Sequence, residues 1–409
     1  MRHHGSHVII TLLFFCTAFS FVSCKKEAAG SLEREKLFTL SYGRFEDEID
    51  LFQLGSAFSV PDTQIYMRDG MFYIANPGAQ KILQLTSFGD LLSVYYNPET
   101  NPVPSFADQV APVNGVVSPA TRKAIPYPFN HPNYLAVDMD KRLLVADQLP
   151  ESRYEFDADQ QLILKNVILR FTSDGRYIDY LGQEGLGGTP FPPVTGLYTN
   201  VRNEIIVITK TMTEIQVFWY DAEGNLMYKI PVRYKNLPTP FEAADTIHIS
   251  LERVIPDPVR QVLYIKLDYF PEIIDSETGA NAGISYDRSC IYPLDVKAGR
   301  YGEKIDIPAY DEGNANSENI YTRPFDFLGI TANGNIFLYT PNEEGYALEI
   351  MDIRSRNVQR RTLSIPREEQ AYNAFMLSSD GILSALLATP SNASVVWWRT
   401  DSLIGEIRR

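Results

Sequence analysis

The sequence predicts an all-β fold built from six copies of one four-stranded unit. Short apolar segments recur along its 409 residues, and turns rich in Asp, Asn or Gly separate them. This pattern is typical of strands joined by hairpins. Helical periodicity and the alternation of strands with helices are almost absent. A repeated unit can build a single domain from a whole chain, so the repeats must be identified before domain boundaries are assigned.

The clearest copy of the unit begins at Pro132. Its four predicted strands cover residues 133–138, 142–147, 167–171 and 176–181. Asp174-Gly175 lies between the last two strands. An Asp-Gly pair between apolar runs favours a hairpin, because its backbone conformation matches the twist of the flanking strands.

Five further copies align on the first turn of the unit. The six first turns are 47 to 76 residues apart, at Asp69, Asp140, Asn203, Asp257, Asn333 and Asp380. Uneven spacing argues against a tight solenoid, whereas a β-propeller accommodates insertions in its loops and keeps its blades intact. The sequence therefore predicts a six-bladed β-propeller. The alternatives are a seven-bladed ring with one undetected unit and a pair of β-sandwiches.

Closure of the ring requires a partner for the free edge of the last blade. Residues 37–40 and 49–52 are both largely apolar and precede the first unit. We expect one of these segments to add a strand to the last blade, close to residues 403–407. The two ends of the domain should therefore meet.

The charge of the chain limits its partners. It contains 37 Lys and Arg against 51 Asp and Glu, which gives a net charge of −14. We expect no nucleic-acid partner, because phosphates require neutralisation by basic side chains. The same balance disfavours a polybasic hold on anionic lipid.

The N-terminus has the features of an export signal. Arg2 precedes an apolar stretch over residues 8–21, which is short for a transmembrane helix and suits a signal peptide. The stretch ends at Ser23-Cys24, which resembles a bacterial lipobox. Its Phe21 resembles the looser lipoboxes of spirochaetes.

The lipobox resemblance implies cleavage before Cys24 and acylation of that cysteine, which anchors the protein in a bilayer. Residues 1–23 are then a signal peptide, residues 24–36 a tether and residues 37–409 the propeller. An ordinary signal peptide with an incidental cysteine is the alternative.

The unit at residues 132–182 contains Leu-Ala-Val-Asp, then Leu-Leu-Val-Ala-Asp, Ile-Leu-Arg-Phe and Asp-Gly-Arg-Tyr-Ile. This pattern resembles the NHL repeat, with less similarity in the other units. Together with the lipobox, it makes the chain similar to NHL-like six-bladed propeller lipoproteins of spirochaetes. NHL propellers commonly act as protein-interaction platforms and some relatives are enzymes, so the resemblance implies a fold and leaves the activity open.

Residues 97–131 form a proline-rich insertion between the first two units. Such a long loop is uncommon in a compact domain unless it is functional or disordered. We interpret it as an ordered cap over one face or an arm that docks a partner; a loop that packs on the side of the ring is the alternative. Its candidate partner contacts are Arg122, Lys123, Tyr127 and Phe129. A second insertion, residues 271–288, is acidic and rich in Gly and Ser, and is predicted to be a mobile loop.

No catalytic residue, metal site or cofactor is predicted. His131 and His248 are the only histidines after residue 23, so a zinc site built from several histidines is excluded. Asp138 and Asp147 end predicted strands and are expected to bond to backbone amides. Cys290 is expected to be buried as a small hydrophobic residue.

These features predict a lipid-anchored protein of the bacterial cell envelope that faces the periplasm. Its propeller is expected to bind an envelope protein partner through the loops of one face. The alternative is a propeller hydrolase or lyase with a carboxylate-bound calcium in the central channel. An enzyme should have several Asp, Glu or Asn side chains that converge in the channel, whereas a platform should have an exposed aromatic patch.

Overall fold

The computed structural model describes residues 30–52, 62–107, 122–241, 246–312 and 321–405. Within them the chain forms a six-bladed β-propeller, as the repeats predict. The first strand of each blade is innermost, and first strands of neighbouring blades contact one another around a central channel. Residues 1–29, which include the predicted signal peptide and Cys24, lie outside the described residues.

The first half of the chain contributes two leading strands and three blades. The leading strands are β1 (Gly30–Ser31) and β2 (Glu35–Ser41). Blade 1 contains β3 (Gln64–Arg68), β4 (Met71–Asn76), β5 (Lys81–Thr86), β6 (Leu91–Tyr96) and β7 (Lys123–Pro126). Blade 2 contains β8 (Leu135–Val137), β9 (Leu143–Gln148), the hairpin β10 (Glu155–Asp157) and β11 (Leu162–Leu164), then β12 (Asn166–Phe171), β13 (Tyr177–Gly182) and β14 (Gly185–Leu186). Blade 3 contains β15 (Val194–Thr199), β16 (Ile205–Lys210), β17 (Glu214–Tyr220) and β18 (Leu226–Arg233).

The second half of the chain contributes the other three blades. Blade 4 contains β19 (Ile247–Pro256), β20 (Val262–Ile274), β21 (Asn281–Ile284), β22 (Arg288–Asp295), β23 (Arg300–Tyr301) and β24 (Ile305–Ile307). A separate hairpin follows, formed by β25 (Tyr310–Glu312) and β26 (Tyr321–Arg323). Blade 5 contains β27 (Asp326–Ile330), β28 (Asn335–Asn342), β29 (Gly345–Asp352) and β30 (Val358–Ser364), and blade 6 contains β31 (Tyr372–Leu377), β32 (Leu383–Ala388) and β33 (Asn392–Trp398).

Short 3-10 helices occur at Pro77–Ala79, Glu151–Arg153, Tyr234–Asn236, Arg367–Glu369 and Thr400–Leu403. In the described part of the chain, no helix has the length and apolar character needed to span a membrane.

The predicted first turns are tight hairpins. Between β3 and β4, Arg68 pairs with Met71, so Asp69 and Gly70 are the two turn residues, with φ of 51° and 74°. Positive φ at both central positions matches strand twist and favours Asn, Asp or Gly there. Asn203 occupies such a position in blade 3, with φ of 59°. The turn signals of the sequence therefore located the blades correctly.

The core lies between blades. Side chains along a strand alternate, so Phe218 and Tyr220 of β17 pack towards blade 2, whereas Val217 and Trp219 pack towards blade 4. The described residues contain one such apolar cluster at each of the six blade interfaces. Cys290 is fully buried between blades 3 and 4, as predicted, and burial raises the pKa of its thiol to about 12.

A segment before the first unit closes the ring, as predicted, and of the two candidates it is the one that contains residues 37–40. Its partner is the strand Asn392–Trp398, whereas the sequence predicted a contact close to residues 403–407. β2 is antiparallel to β33 and forms the outermost strand of blade 6. Phe38 of β2 packs edge-to-face on Phe72 of blade 1, with ring centroids 5.9 Å apart. Trp397 of β33 donates its indole N–H to Glu35 at 2.7 Å. The free edge that an open ring would expose is thereby paired.

Strands begin earlier than the sequence indicates. β1 pairs in parallel with β30, and β2 starts at Glu35. Residues 30–36, predicted as part of the tether, therefore belong to the propeller, because they pair with the outer edges of blades 5 and 6.

Each blade has two ends, which define two faces of the ring. Antiparallel strands place the turns between second and third strands, and the links between blades, on one face, called the upper face. The turns between first and second strands, and between third and fourth strands, lie on the lower face.

Both insertions differ from simple loops. Residues 123–126 form β7, which pairs in parallel with β6 on the outer edge of blade 1. This part of the proline-rich insertion therefore packs on the side of the ring, and residues 108–121 lie outside the described residues. The segment predicted as a mobile loop at 271–288 is a hairpin, because β20 continues to Ile274 and pairs with β21.

Candidate functional site

The upper face carries exposed apolar side chains on three consecutive blades. They lie in the segments that join the second and third strands of blades 2, 3 and 4. We name this set the apolar row, and its members are Phe156, Ile163, Met212, Ile273, Ile274 and Ile284. The corresponding turns of blades 1, 5 and 6 carry small, polar or charged residues. Exposed apolar side chains that are concentrated on one side of a face indicate a candidate interaction site.

The blade 2 part of the apolar row lies on the hairpin of β10 and β11. Phe156 pairs directly with Ile163, so both side chains lie on one face of the hairpin. At its base, Arg153 lies over the ring of Tyr180, 5.3 Å from the centroid, and donates to the Tyr180 hydroxyl at 3.0 Å. The base of the hairpin is therefore fixed while its apolar pair is exposed.

The blade 4 part lies on the hairpin of β20 and β21. Asp275 begins the turn, and its carboxylate accepts hydrogen bonds from the backbone N–H and hydroxyl of Thr278 at 2.7 and 2.8 Å. These bonds lower the pKa of Asp275. Arg288, at the return of the hairpin, lies over the ring of Phe241 at 5.0 Å. Ile273, Ile274 and Ile284 remain exposed.

The border of the apolar row is acidic. Residues 151–165 and 271–288 together contain eight Asp and Glu against three Lys and Arg. Apolar contacts supply most of the affinity at protein interfaces, whereas charges at the rim determine partner choice and association rate. The arrangement therefore fits a partner surface that is apolar at its centre and basic at its edge.

A cleft of about 790 Å³ opens on the upper face where blades 6, 1 and 2 meet. Tyr42 and Phe52 form an edge-to-face pair in its wall, with ring centroids 5.5 Å apart. Arg44 donates to Asp50 at 3.1 Å and to the carbonyls of Gly78 and Thr100 at 3.2 Å. The guanidinium is thus held by the cleft itself, which leaves a mixed aromatic and polar wall.

His131 lies at the edge of this cleft. Its Nε2 is 2.6 Å from the carboxylate of Asp62. The carboxylate of Asp147 accepts the backbone N–H groups of Asn130 and His131, as predicted for this aspartate. Burial raises the pKa of Asp147 to about 6, although these bonds oppose the shift. Asp138, the other predicted case, accepts the backbone N–H of Arg142 at 2.8 Å.

A charged cluster lies between blades 4 and 5, and consists of Glu252, Lys266 and Asp268. The ammonium of Lys266 is fully buried, 2.6 Å from Asp268 and 3.8 Å from Glu252. Glu252 also accepts the backbone N–H of Phe327 at 3.2 Å. Burial raises the pKa of Glu252 to about 7, with Lys266 opposing the shift. A buried carboxyl group whose pKa is raised towards neutral is a candidate functional group.

Arg253 extends from the innermost strand of blade 4 into the channel. Its side chain is 46% exposed, and its guanidinium donates to the carbonyl of Phe327 at 3.3 Å. Burial acts to lower the pKa of Arg253, but the neighbouring acidic groups, the phenol of Tyr198 and the carboxyl of Glu252 foremost, outweigh it and raise the pKa. Tyr339 and Tyr134 contribute in the same direction. On the side of blade 4, Arg253 therefore places a cationic group among tyrosines of blades 2, 3 and 5.

The lower mouth of the channel is a second cavity of about 330 Å³, lined by residues of all six blades. Its acidic lining residues are Asp69 and Asp380. No group of three or more His, Cys, Asp or Glu side chains is placed to hold a metal ion among the residues that the structure describes. A cluster of three Asp or Glu side chains, one form of the calcium site that the enzyme alternative requires, is thus not found in that part of the chain.

Tyr127 and Phe129, the aromatic residues predicted to contact a partner, pack in the core between blades 1 and 2. Phe129 is fully buried between blades 1 and 2, and its ring lies 4.9 Å from that of Tyr127 and 6.1 Å from that of Phe171. Tyr127 is half-buried, and burial raises its pKa. In this structure Phe129 has no surface to offer to a partner.

The predicted basic contacts lie on the side of the ring. Arg122 is exposed with its guanidinium over the ring of Phe106, 5.9 Å from the centroid. Lys123 donates to the carbonyl of Asp174 at 3.3 Å. The structure places both residues beside the edge of blade 1, away from the apolar row, and their contact with a partner stays a prediction. Cys24 lies outside the described residues.

The charged cluster was not predicted from the sequence. Lys266 and Asp268 interrupt an otherwise apolar strand, β20, in which every residue from Leu263 to Tyr269 is buried. Charged residues inside such a strand are the signal that could have indicated a buried ion pair. Their partner Glu252 lies on another strand, so no local spacing identifies it.

Known proteins resemble this chain only weakly, and only in structure. No protein-family model matches the sequence, and no curated protein matches it. Solved structures similar to the chain include the polysaccharide lyase Uly1, with a TM-score of 0.42 and 9% identity over 90% of this chain and 99% of that chain. A gluconolactonase from Xanthomonas campestris has a TM-score of 0.40 and 11% identity over 90% and 97% of the two chains. The β-propeller domain of the Trilobed protease from Pyrococcus furiosus has a TM-score of 0.37 and 9% identity over 82% and 83%. At such scores the propeller assignment depends on the strand order and register described above.

Proposed function

We propose that this protein is a lipid-anchored component of the bacterial cell envelope whose propeller binds a protein partner through the upper face of blades 2, 3 and 4. Acylated Cys24 would hold it to a membrane, with the propeller in the periplasm. The apolar row is the single observation that carries the binding role. Its acidic border favours a partner whose apolar surface is surrounded by basic side chains.

The energetics support binding at this face. Complete burial of an apolar side chain of this size contributes about 1.5–3 kcal/mol. Six such side chains on neighbouring blades supply apolar contacts for a partner at this face. Because the bases of both hairpins are fixed by cation–π contacts, little conformational entropy is lost on binding.

The test is crosslinking in intact cells followed by affinity purification of the membrane-anchored protein. The test variant combines Phe156→Ser, Met212→Ser and Ile274→Ser, all at exposed positions. The matched control is Phe88→Ser, because Phe88 is 86% exposed, as is Met212, but lies on the lower face. We expect the triple variant to lose its crosslinked partner while the control keeps it. Equal recovery of the partner from both variants would refute the proposal.

An enzymatic role is the second candidate, and the charged cluster favours it. A carboxyl group with a pKa near 7 beside the channel-lining Arg253 has the properties of a general acid or base. Two results together would favour this role. No specific partner would be recovered, and the purified protein would turn over a small molecule that the Glu252→Gln variant does not.

A further inference from the structure

The described chain begins on the outer edge of blade 5. Gly30 pairs with Arg361 and Ser31 with Thr362, and Leu32 donates its N–H to the Thr362 carbonyl at 2.9 Å. The six steps along the chain from Cys24 to Gly30 can span at most about 20 Å when fully extended. If Cys24 is acylated, as the proposed function requires, the bilayer surface must therefore lie near this edge.

The same edge is basic in an acidic protein. Residues 353–367 contain five arginines and no Asp or Glu, although the whole chain has a net charge of −14. We name four of them, on the outer hairpin of blade 5, the arginine edge: Arg354, Arg356, Arg360 and Arg361.

Nearby carboxylates neutralise this edge only in part. Asp352, at the start of the turn, accepts the backbone N–H of Arg354 at 2.8 Å, and the charge of Arg354 contributes to its lowered pKa. Glu349 is fully buried and accepts a hydrogen bond from Arg360 at 2.8 Å. Glu369, beyond the hairpin, is paired with Arg34. Arg354 and Arg356 are exposed in the turn between β29 and β30. Their guanidinium groups are therefore available to phosphate oxygens.

We infer that the arginine edge is the surface of the propeller that rests on the membrane, where it binds the phosphate groups of anionic lipids. The position of the first strand and the local charge lead independently to this edge. One acyl anchor and one basic patch are the pair of signals that hold a protein stably against a bilayer.

This orientation determines the exposure of the rest of the molecule. Arg354 and Arg356 lie in a lower-face turn, so the outer edge of blade 5 meets the bilayer at its lower end and the lower face is turned partly towards the lipid. Blade 2 is three blades away in a ring of six and is therefore farthest from the membrane. The hairpin that carries Phe156 and Ile163 is then presented to partners at a distance from the lipid.

The test measures the distance of two labelled positions from the bilayer in the full acylated protein. A fluorophore is attached to Asn357→Cys on the arginine edge or to Ile178→Cys on the outer strand of blade 2, both exposed. Cys290 is fully buried, so labelling is specific to the introduced cysteine. The protein is placed in phosphatidylcholine vesicles that contain phosphatidylglycerol and a headgroup-labelled acceptor lipid.

We expect stronger energy transfer from position 357 than from position 178. Arg354→Gln with Arg356→Gln should lower the population of the edge-down orientation, relative to all others, by about 25-fold, at about fivefold per arginine. The control Arg176→Gln with Lys235→Gln, at exposed positions of blades 2 and 3, should leave the transfer unchanged.

Two outcomes would overturn the inference, and mass spectrometry of the same sample separates them. Equal transfer from both positions in a protein whose Cys24 is acylated refutes the orientation and leaves the lipid-anchored function standing. An unacylated mature protein refutes the anchor and, with it, the orientation that depends on it.

Discussion

The carboxyl group of Glu252 should make the stability of this propeller depend on pH. The proposed change is Glu252→Gln, which keeps the shape of the side chain and an oxygen that can accept the N–H of Phe327. Burial raises the pKa of Glu252 from its ordinary 4.5 to about 7. Between these two values the folded state holds a proton that the unfolded chain has released. The free energy of unfolding therefore falls as the pH rises through this range.

The size of the effect follows from the two pKa values. For a single group that titrates at 4.5 unfolded and near 7 folded, raising the pH from 5 to 8 costs roughly 2–3 kcal/mol of stability. The Glu252 side chain is 19% exposed, so solvent screens it only weakly. The variant cannot titrate at this position and should lose this part of the pH dependence. It should thus become more stable relative to the unmodified protein as the pH rises.

The assay is urea unfolding of both proteins at several pH values between 5 and 8. The comparison isolates Glu252, because the raised pKa of Asp147 contributes equally to both proteins. Glu343→Gln is the matched control, since Glu343 is exposed in a turn of blade 5. Parallel pH profiles for the unmodified protein and Glu252→Gln would refute the reasoning that burial dominates the environment of this carboxyl group.

Two further changes test the packing that holds the ring together. Lys266→Met should lower the free energy of unfolding by roughly 3–5 kcal/mol, because it leaves the carboxylate of Asp268 buried without its cation. Phe38→Ala should lower it by roughly 3–5 kcal/mol, because this side chain packs the closing strand onto Phe72 of blade 1. Both are measured by urea unfolding at pH 7.

Exposed counterparts serve as controls for these changes. Lys235→Met and Phe45→Ala alter exposed side chains of the same types, and Phe45 is 60% exposed. Both controls should stay within about 0.5 kcal/mol of the unmodified protein. If Lys266→Met or Phe38→Ala behaves like its control, the buried ion pair or the closing strand does not have the structural role described here.

The blades could be predicted because their signals are local. Each first turn needs backbone conformations that Asp, Asn and Gly favour, and each flanking strand is a short apolar run. Asp69-Gly70 and Asn203 therefore marked hairpins without any knowledge of the ring. Ring closure by residues 37–40 or 49–52 could also be predicted, because a sheet edge requires a partner and few apolar segments were available. Only the pairing of β2 with β33 decides between the two segments.

The functional surfaces could not be predicted to the same extent, because they depend on contacts between distant residues. Phe129 lies in a long proline-rich insertion, where an aromatic residue is expected to be exposed and available to a partner. In the structure it is buried instead, because its ring packs against Phe171 of blade 2. The hairpin of β20 and β21 has a Gly-rich, acidic sequence that resembles a loop, and only its pairing register makes it a sheet. The apolar row is visible only once the ring places blades 2, 3 and 4 side by side.

The net charge of the chain also does not show how charge is distributed over the surface. A net charge of −14 argued against a basic contact with lipid, yet residues 353–367 are free of acidic side chains. The net charge is a sum over the whole ring, so it cannot indicate that one edge is basic. The pairing of β1 with β30 places this basic segment next to the first described residues of the chain. That pairing joins residues more than 300 positions apart, so the sequence alone does not indicate it.

The central claim is that the upper face of blades 2, 3 and 4 binds a protein partner, and position-specific photocrosslinking in intact cells tests it most directly. A photoreactive residue replaces Met212 or Ile274 on the upper face, or Phe88 on the lower face, one at a time in the membrane-anchored protein. We expect the two upper positions to capture the same partner and position 88 to capture none. Capture of that partner from position 88 and from neither upper position would contradict the account.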